Sequence, residues 1–171
     1  MRLKFWQRVE QVLHPIIPWL PLIIIIGLSV LVVIVIGTPI CTAFNLSFIS
    51  QIFYQFGGLC CHQLPERSFQ IFNQKWGLCS RCSGFYLAFW LVSITFPLWR
   101  KWLNEFPLRY FLILLTPFIL DCLFQFFGWY PGNNWVRLLT GSLAGFGTGL
   151  TLLSGFIDIY KIELDKMYNY S

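Results

Sequence analysis

From Leu20 to Ile36 the chain runs without a charged residue. A stretch of that kind suits a transmembrane helix, which needs about 20 predominantly apolar residues. A secretory signal has a shorter apolar region, of about 7–15 residues, followed by a small-residue cleavage site. Here the run leads into Gly37-Thr38-Pro39-Ile40-Cys41, which offers neither that site nor a lipoprotein signal. A retained span is expected. Composition agrees: 57% of the 171 residues are hydrophobic and 11% are charged, against about 25% charged in soluble domains. The net charge of +5 is not read as a nucleic-acid signal. The basic residues sit mostly between apolar spans, where they set topology.

Hydropathy predicts an all-α integral membrane bundle of four transmembrane helices, over residues 19–37, 84–99, 108–127 and 135–157. The second is short for a span, and its helix has an alternative start near Leu78. Residues 1–18 read as a basic interfacial segment, and residues 158–171 as a cytoplasmic tail. Residues 38–83 form an outward Cys/His loop. Within it Phe44, Phe48, Ile52 and Phe56 recur every four residues and predict a surface helix ending at Gly57-Gly58. Eight of the 12 Lys and Arg residues fall on one side: Arg2, Lys4, Arg8, Arg100, Lys101, Arg109, Lys161 and Lys166. Arg67, Lys75, Arg81 and Arg137 fall on the other. The positive-inside rule then puts both termini in the cytoplasm of a prokaryotic plasma membrane, with the loop outside. Tryptophans fit a belt at each interface, with Trp90 left for packing. Gly141, Gly145 and Gly149 on the last span let a helix backbone approach closely, either in the same chain or in a homo-oligomer.

Within the loop, Cys61-His62 is followed by Cys79-Ser80-Arg81-Cys82. If the second helix begins near Leu78, Cys79 and Cys82 share one face at its N-terminus. The positive end of the helix and Arg81 favour thiolate there. Thiolates suit zinc or iron, and they also suit disulfide exchange. Cys61 and His62 complete a Cys3His set, provided a tight turn lets two adjacent side chains converge. Cys60 is a substitute for either. An outward compartment also permits a plain structural disulfide. Cys41 and Cys122 read as small buried hydrophobes.

Asp121 lies inside the third span, where an ionisable group is a functional candidate. Gln125 follows one helical turn later on the same face. The short Tyr130-Pro131-Gly132 turn makes spans three and four antiparallel neighbours, and so brings Arg137 toward Gln125 and Asp121. A plain interhelical ion pair is the alternative. Arg67 suits a lipid phosphate or is a solvated loop charge.

The motif Cys61-His62-Gln63-x-Pro65-x-Arg67-Ser68-Phe69, then Cys79-x-Arg81-Cys82-x-Gly84-x-Tyr86, resembles a family of small prokaryotic membrane proteins of unknown function. Asp121-x-x-x-Gln125 and Asn134-x-x-Arg137-x-x-Thr140-Gly141 extend the likeness. The resemblance implies one shared polar site and no particular activity. In that family a Gly follows the Asp, where this chain has Cys122. Cys60 lies outside the pattern. In architecture the chain is also similar to quinone-coupled disulfide-forming proteins, which are four-helix bundles with an outer Cys-x-x-Cys; that likeness is one of fold only.

The expectation is therefore a composite outer-leaflet site. Cys61, His62, Cys79 and Cys82 hold zinc, with iron as the alternative metal. Asp121 and Arg137 are catalytic, while Gln125, Asn134, Arg81 and Arg67 bind a lipid, quinone or small periplasmic substrate. The alternatives are a thiol–disulfide oxidoreductase and a non-enzymatic protein with a zinc-stapled loop.

Overall fold

The computed structural model describes residues 19–99 and 106–169. The basic segment 1–18, and Arg100 and Lys101, whose charge entered the topology expectation, lie outside them. The described chain folds as α1 (Leu20–Ala43), α2 (Ser47–Gly58), a 3-10 turn (Pro65–Arg67), a minimal antiparallel hairpin, α3 (Ser80–Trp99), α4 (Leu108–Phe126) and α5 (Asn134–Asn169). The hairpin pairs β1 (Gln70–Ile71) with β2 (Gln74–Lys75). Helix α1, helix α4 and residues Asn134–Phe156 of α5 are long and apolar enough to cross a membrane.

Helix α1 passes the predicted end at Gly37 and continues through Pro39 to Ala43. Proline has no N–H to give the carbonyl four residues back. Val35 O is that carbonyl, and it accepts instead from Gly77 N–H at 3.3 Å. Thr38 Oγ1 donates to Ile34 O one residue before. The loop thus supplies the bond the proline removes, and Val35 and Thr38 are fully buried beneath it. A Cβ at Gly77 would collide with Ile34 O and the Thr38 hydroxyl, so only glycine permits this approach. The helix ends at a left-handed Asn45 (φ 59°). Asn45 N–H bonds Thr42 O at 3.1 Å and Leu46 N–H bonds Cys41 O at 2.8 Å, the two bonds of a Schellman stop.

Helix α2 occupies the predicted place. Phe44, Phe48 and Phe56 remain exposed, Phe48 at 77%, as an apolar face laid against lipid requires. Its other side is tied to α1 through Thr42 and Ser50. Helix α3 starts at Ser80, four residues before the expected span, and so takes in Arg81 and Cys82. Helix α4 ends within one residue of expectation. Helix α5 continues well past the expected end at residue 157, as far as Asn169.

Helices α3 and α5 form the central pair; α4 packs on α5, α1 on α3 and α2 on α1. The glycine stripe of α5 explains the central seam. A Cβ at Gly141 would meet Arg81 O, one at Gly145 would meet Phe85 O, and Gly149 faces Phe89 and Val92. In this chain the stripe therefore seats α3. Trp90 Nε1 donates to Ser29 Oγ at 2.8 Å, joining α1 to α3 by a polar bond where packing alone was expected.

Substituting Gly145→Leu should strand a side chain against a backbone carbonyl that cannot move alone. The expected loss is at least about 1–3 kcal/mol, seen as a lower thermal midpoint in detergent. Gly27→Ala should not lower the midpoint, because nothing lies within 4 Å of that Cβ and alanine is the better helix former.

Candidate functional site

Three sulfurs converge at the N-terminus of α3: those of Cys61, Cys79 and Cys82 lie within 4.8 Å of one another. Cys79 caps the helix, and its carbonyl accepts from Ser83 N–H at 2.8 Å. Cys82 follows one turn later. Cys61 reaches them because the chain reverses at Gln63, which holds a left-handed φ of 52°. That conformation costs a non-glycine residue about 1–3 kcal/mol, and the bonds Gln63 makes explain why it persists. Its Nε2 donates to Tyr54 O at 2.9 Å and to Gly77 O at 2.7 Å. Its carbonyl accepts from Lys75 Nζ at 3.0 Å. The side chain thus fastens the reversal to α2 and to Gly77, and the backbone carbonyl fastens it to the hairpin.

The Cys61 sulfur accepts Cys79 N–H at 3.2 Å and Gln63 N–H at 3.4 Å. Hydrogen bonds from the Cys79 and Cys82 side chains, with these backbone donors, hold the Cys61 thiol far below its ordinary range. The same bond to Cys61 pushes the Cys79 thiol upward. All six cysteines are free thiols. Zn–S bonds of about 2.3 Å at tetrahedral angles set sulfurs about 3.8 Å apart, which the triad meets with small movements.

The expected fourth ligand, His62, does not join the sulfurs. It is exposed and lines a cavity of about 340 Å³ that the triad also borders. Consecutive side chains diverge, and the turn at Gln63 does not bring them together. Cys60 is exposed.

Arg81, which lines the cavity and is half-buried, donates through Nη2 to Oδ2 of the buried Asp121. Asp121 Oδ1 accepts Gln125 Nε2 at 2.6 Å. Gln125 Oε1 in turn accepts Arg137 Nε at 3.0 Å. Arg137 completes its set with Asn134 Oδ1 at 2.9 Å and Pro131 O at 3.0 Å. The expected Asp121–Gln125–Arg137 group is thus assembled, but the partner of Asp121 is Arg81, and Arg137 reaches it only through Gln125. Geometry decides this: Arg81 sits at the start of α3, facing α4, while Arg137 is held back by the carbonyl of the inter-helix turn. Gly132 makes room there. It holds φ 82°, and a Cβ would strike the Arg137 guanidinium and the Gln125 side chain. Asn134 Nδ2 also bonds Ser68 O at 3.4 Å, closing the loop over α5. Arg67 reaches the cavity from the 3-10 turn.

Cys122, expected to be an inert buried thiol, accepts Arg81 Nη1 at 3.1 Å. Its place after Asp121 was the signal available for it. Phe118, one turn before Asp121, lies 5.7 Å from the Arg81 guanidinium; nothing in its sequence context marks it out.

Apolar helices carrying a buried polar cluster beside three converging thiols fit a membrane protein. Residues 61–151 match the family described as predicted membrane protein (DUF2085), and the chain belongs to it. That match begins at Cys61 and includes every residue of the cluster. An uncharacterised protein of Methanocaldococcus jannaschii is 37% identical over 118 residues, covering 67% of this chain and 75% of that protein. Another, from Methanothermobacter thermautotrophicus, is 36% identical over 88 residues, covering 51% of this chain and 78% of that protein. No solved structure matches.

Two substitutions test the geometry. Asp121→Asn should strand the Arg81 charge and cost about 3–5 kcal/mol; adding Arg81→Gln should recover part of that loss, as a double-mutant cycle of unfolding midpoints would show. Gln63→Glu should set an acceptor against two carbonyls and destabilise by about 1–3 kcal/mol. Unchanged unfolding of that variant would mean the amide does not hold the loop.

Proposed function

We propose that this protein is a metal-dependent membrane enzyme acting on a lipid-soluble or small periplasmic substrate. Cys61, Cys79 and Cys82 would hold zinc, with iron as the alternative. The observation that carries this reading is the convergence of three sulfurs while His62 stays outside them. Zinc on four protein ligands is structural, whereas zinc on three keeps an open position and is catalytic. Such an ion activates water or polarises a carbonyl or phosphoryl group. The open position would face the arginine-lined cavity. His62 would serve as the proton-transfer group at its rim. Both Asp121 oxygens are engaged by Arg81 and Gln125, so Asp121 would orient Arg81 rather than move a proton. Arg137, Gln125, Asn134 and Arg67 would hold polar groups of the substrate.

In this reading α3 completes a four-span bundle. Its 20 residues rise about 1.5 Å each, which suits a hydrocarbon core of about 30 Å. The eight-to-four division of basic residues supports cytoplasmic termini and a site on the outer face of a prokaryotic plasma membrane.

A second reading, a thiol–disulfide oxidoreductase coupled to quinone, draws on the three free thiols in mutual reach. Elemental analysis of protein purified in mild detergent separates the two. The expected result is one zinc or iron per chain, lost in Cys79→Ser and Cys82→Ser and kept in His62→Ala. Loss of metal in His62→Ala would remove the open position. Absence of metal from the wild type, with Cys79 and Cys82 alternating between alkylatable and protected states, would replace the first reading by the second.

A further inference from the structure

Helix α4 is the least enclosed helix of the bundle. Asp121 is its one fully buried residue, and it packs along α5 without a seam against α1 or α3. A cleft therefore separates α4 from α3, with α5 behind it. Across one end of this cleft Arg81 reaches Asp121 and lies over Phe118. The cavity beside the sulfur triad is at that same end, since Arg81 and Cys82 of α3, Phe118 of α4 and Arg137 of α5 all line it.

The charges there do not balance. Arg67, Arg81 and Arg137 meet a single carboxylate, Asp121. A divalent ion on three thiolates would add one negative charge, still leaving one positive charge over. Arg137 has only neutral acceptors. Among the described residues Arg67 makes no side-chain hydrogen bond or ion pair. Arg81 Nε is a buried donor with no partner. Unsatisfied buried donors are uncommon and call for an acceptor. Guanidinium forks match phosphate oxygens in pairs.

We propose that the cleft takes a phosphate-headed amphiphile. The phosphate lies among Arg67, Arg81 and Arg137 beside the sulfur triad, and the hydrocarbon chain lies between α3 and α4. A cavity of about 340 Å³ holds a headgroup, being near the lower end of ligand pockets at about 300–1,000 Å³, and leaves the chain outside it. Ile113, Ile119 and Leu120 of α4, on the bilayer side of Asp121, are exposed apolar residues. A monoanionic phosphodiester cancels the excess charge. This inference rests on the enzyme reading for what is done to the phosphate and names the substrate class of that same site.

The test uses the full chain in a maltoside detergent, with hexadecyl methyl phosphate, a monoanionic phosphodiester, as the probe, native mass spectrometry for stoichiometry and tryptophan fluorescence for affinity. One probe per chain is expected. Arg67→Gln and Arg137→Gln, each confirmed monodisperse by gel filtration, should weaken binding about ten- to hundredfold, the span of a lost charged hydrogen bond. Hexadecanol and inorganic phosphate at matched concentration should not displace the probe. Displacement by hexadecanol would reduce the site to an apolar groove, and displacement by inorganic phosphate would remove the chain from it; either overturns the proposal. Unchanged affinity in both arginine variants overturns it too, as does a dimer that buries α4 and binds no probe. Metal content is measured on the same samples. Metal present without probe binding sinks this inference alone, whereas probe binding without metal sinks the metal reading alone.

Discussion

The ion pair between Arg81 and Asp121 joins the two halves of this molecule. A lone carboxylate within a bilayer costs about 2.5–3.5 kcal/mol on insertion scales, so Asp121 needs a cation within reach. Among the described residues, most of the packing of α4 is against α5, and it is at Arg81 that α4 meets α3. Arg81 is also one of the two residues between Cys79 and Cys82, at the first turn of α3. The pair that makes α4 tolerable in lipid therefore sets the distance between the sulfur triad and the polar cluster. Cys122 and Phe118 hold the rest of the same guanidinium.

The second constraint is the way the loop is fastened to α1. Pro39 leaves a carbonyl unpaired inside an apolar helix, where no water can satisfy it. Gly77 N–H fills the gap, and that contact places Leu78, Cys79 and the start of α3. Gln63 acts from the other direction, binding the reversal after Cys61 to Gly77 O and Tyr54 O. The sulfur triad is thus the meeting point of two backbone repairs. Each uses a residue that sequence reading alone treats as connection.

Legibility in the sequence varied with the physics behind each residue. The amphipathic α2 and the extent of α4 were readable because hydrophobic period and length encode them directly. The Schellman stop at Asn45 was masked by the apolar run, which invited an end at Gly37-Thr38-Pro39 that an external donor prevents. Membership of one cluster for Asp121, Gln125, Asn134 and Arg137 followed from helix period and a short turn. The identity of the ion-pair partner did not, since Arg81 and Asp121 are distant in sequence and meet only when α3 and α4 both lie on α5. His62 was drawn into the ligand set by adjacency to Cys61, although adjacent side chains point apart.

The sequence by itself determined that this chain forms long apolar helices, that its thiols and its intramembrane charges gather at one end, and that glycines on α5 admit a close neighbour. Each of these rests on local period, composition or charge. Only the tertiary structure decided which backbone fills the glycine stripe, which arginine meets Asp121, and that three sulfurs converge without the imidazole. Those outcomes depend on the angle and depth at which separate helices dock. Contacts far apart in the chain set that docking, beyond the reach of any local pattern.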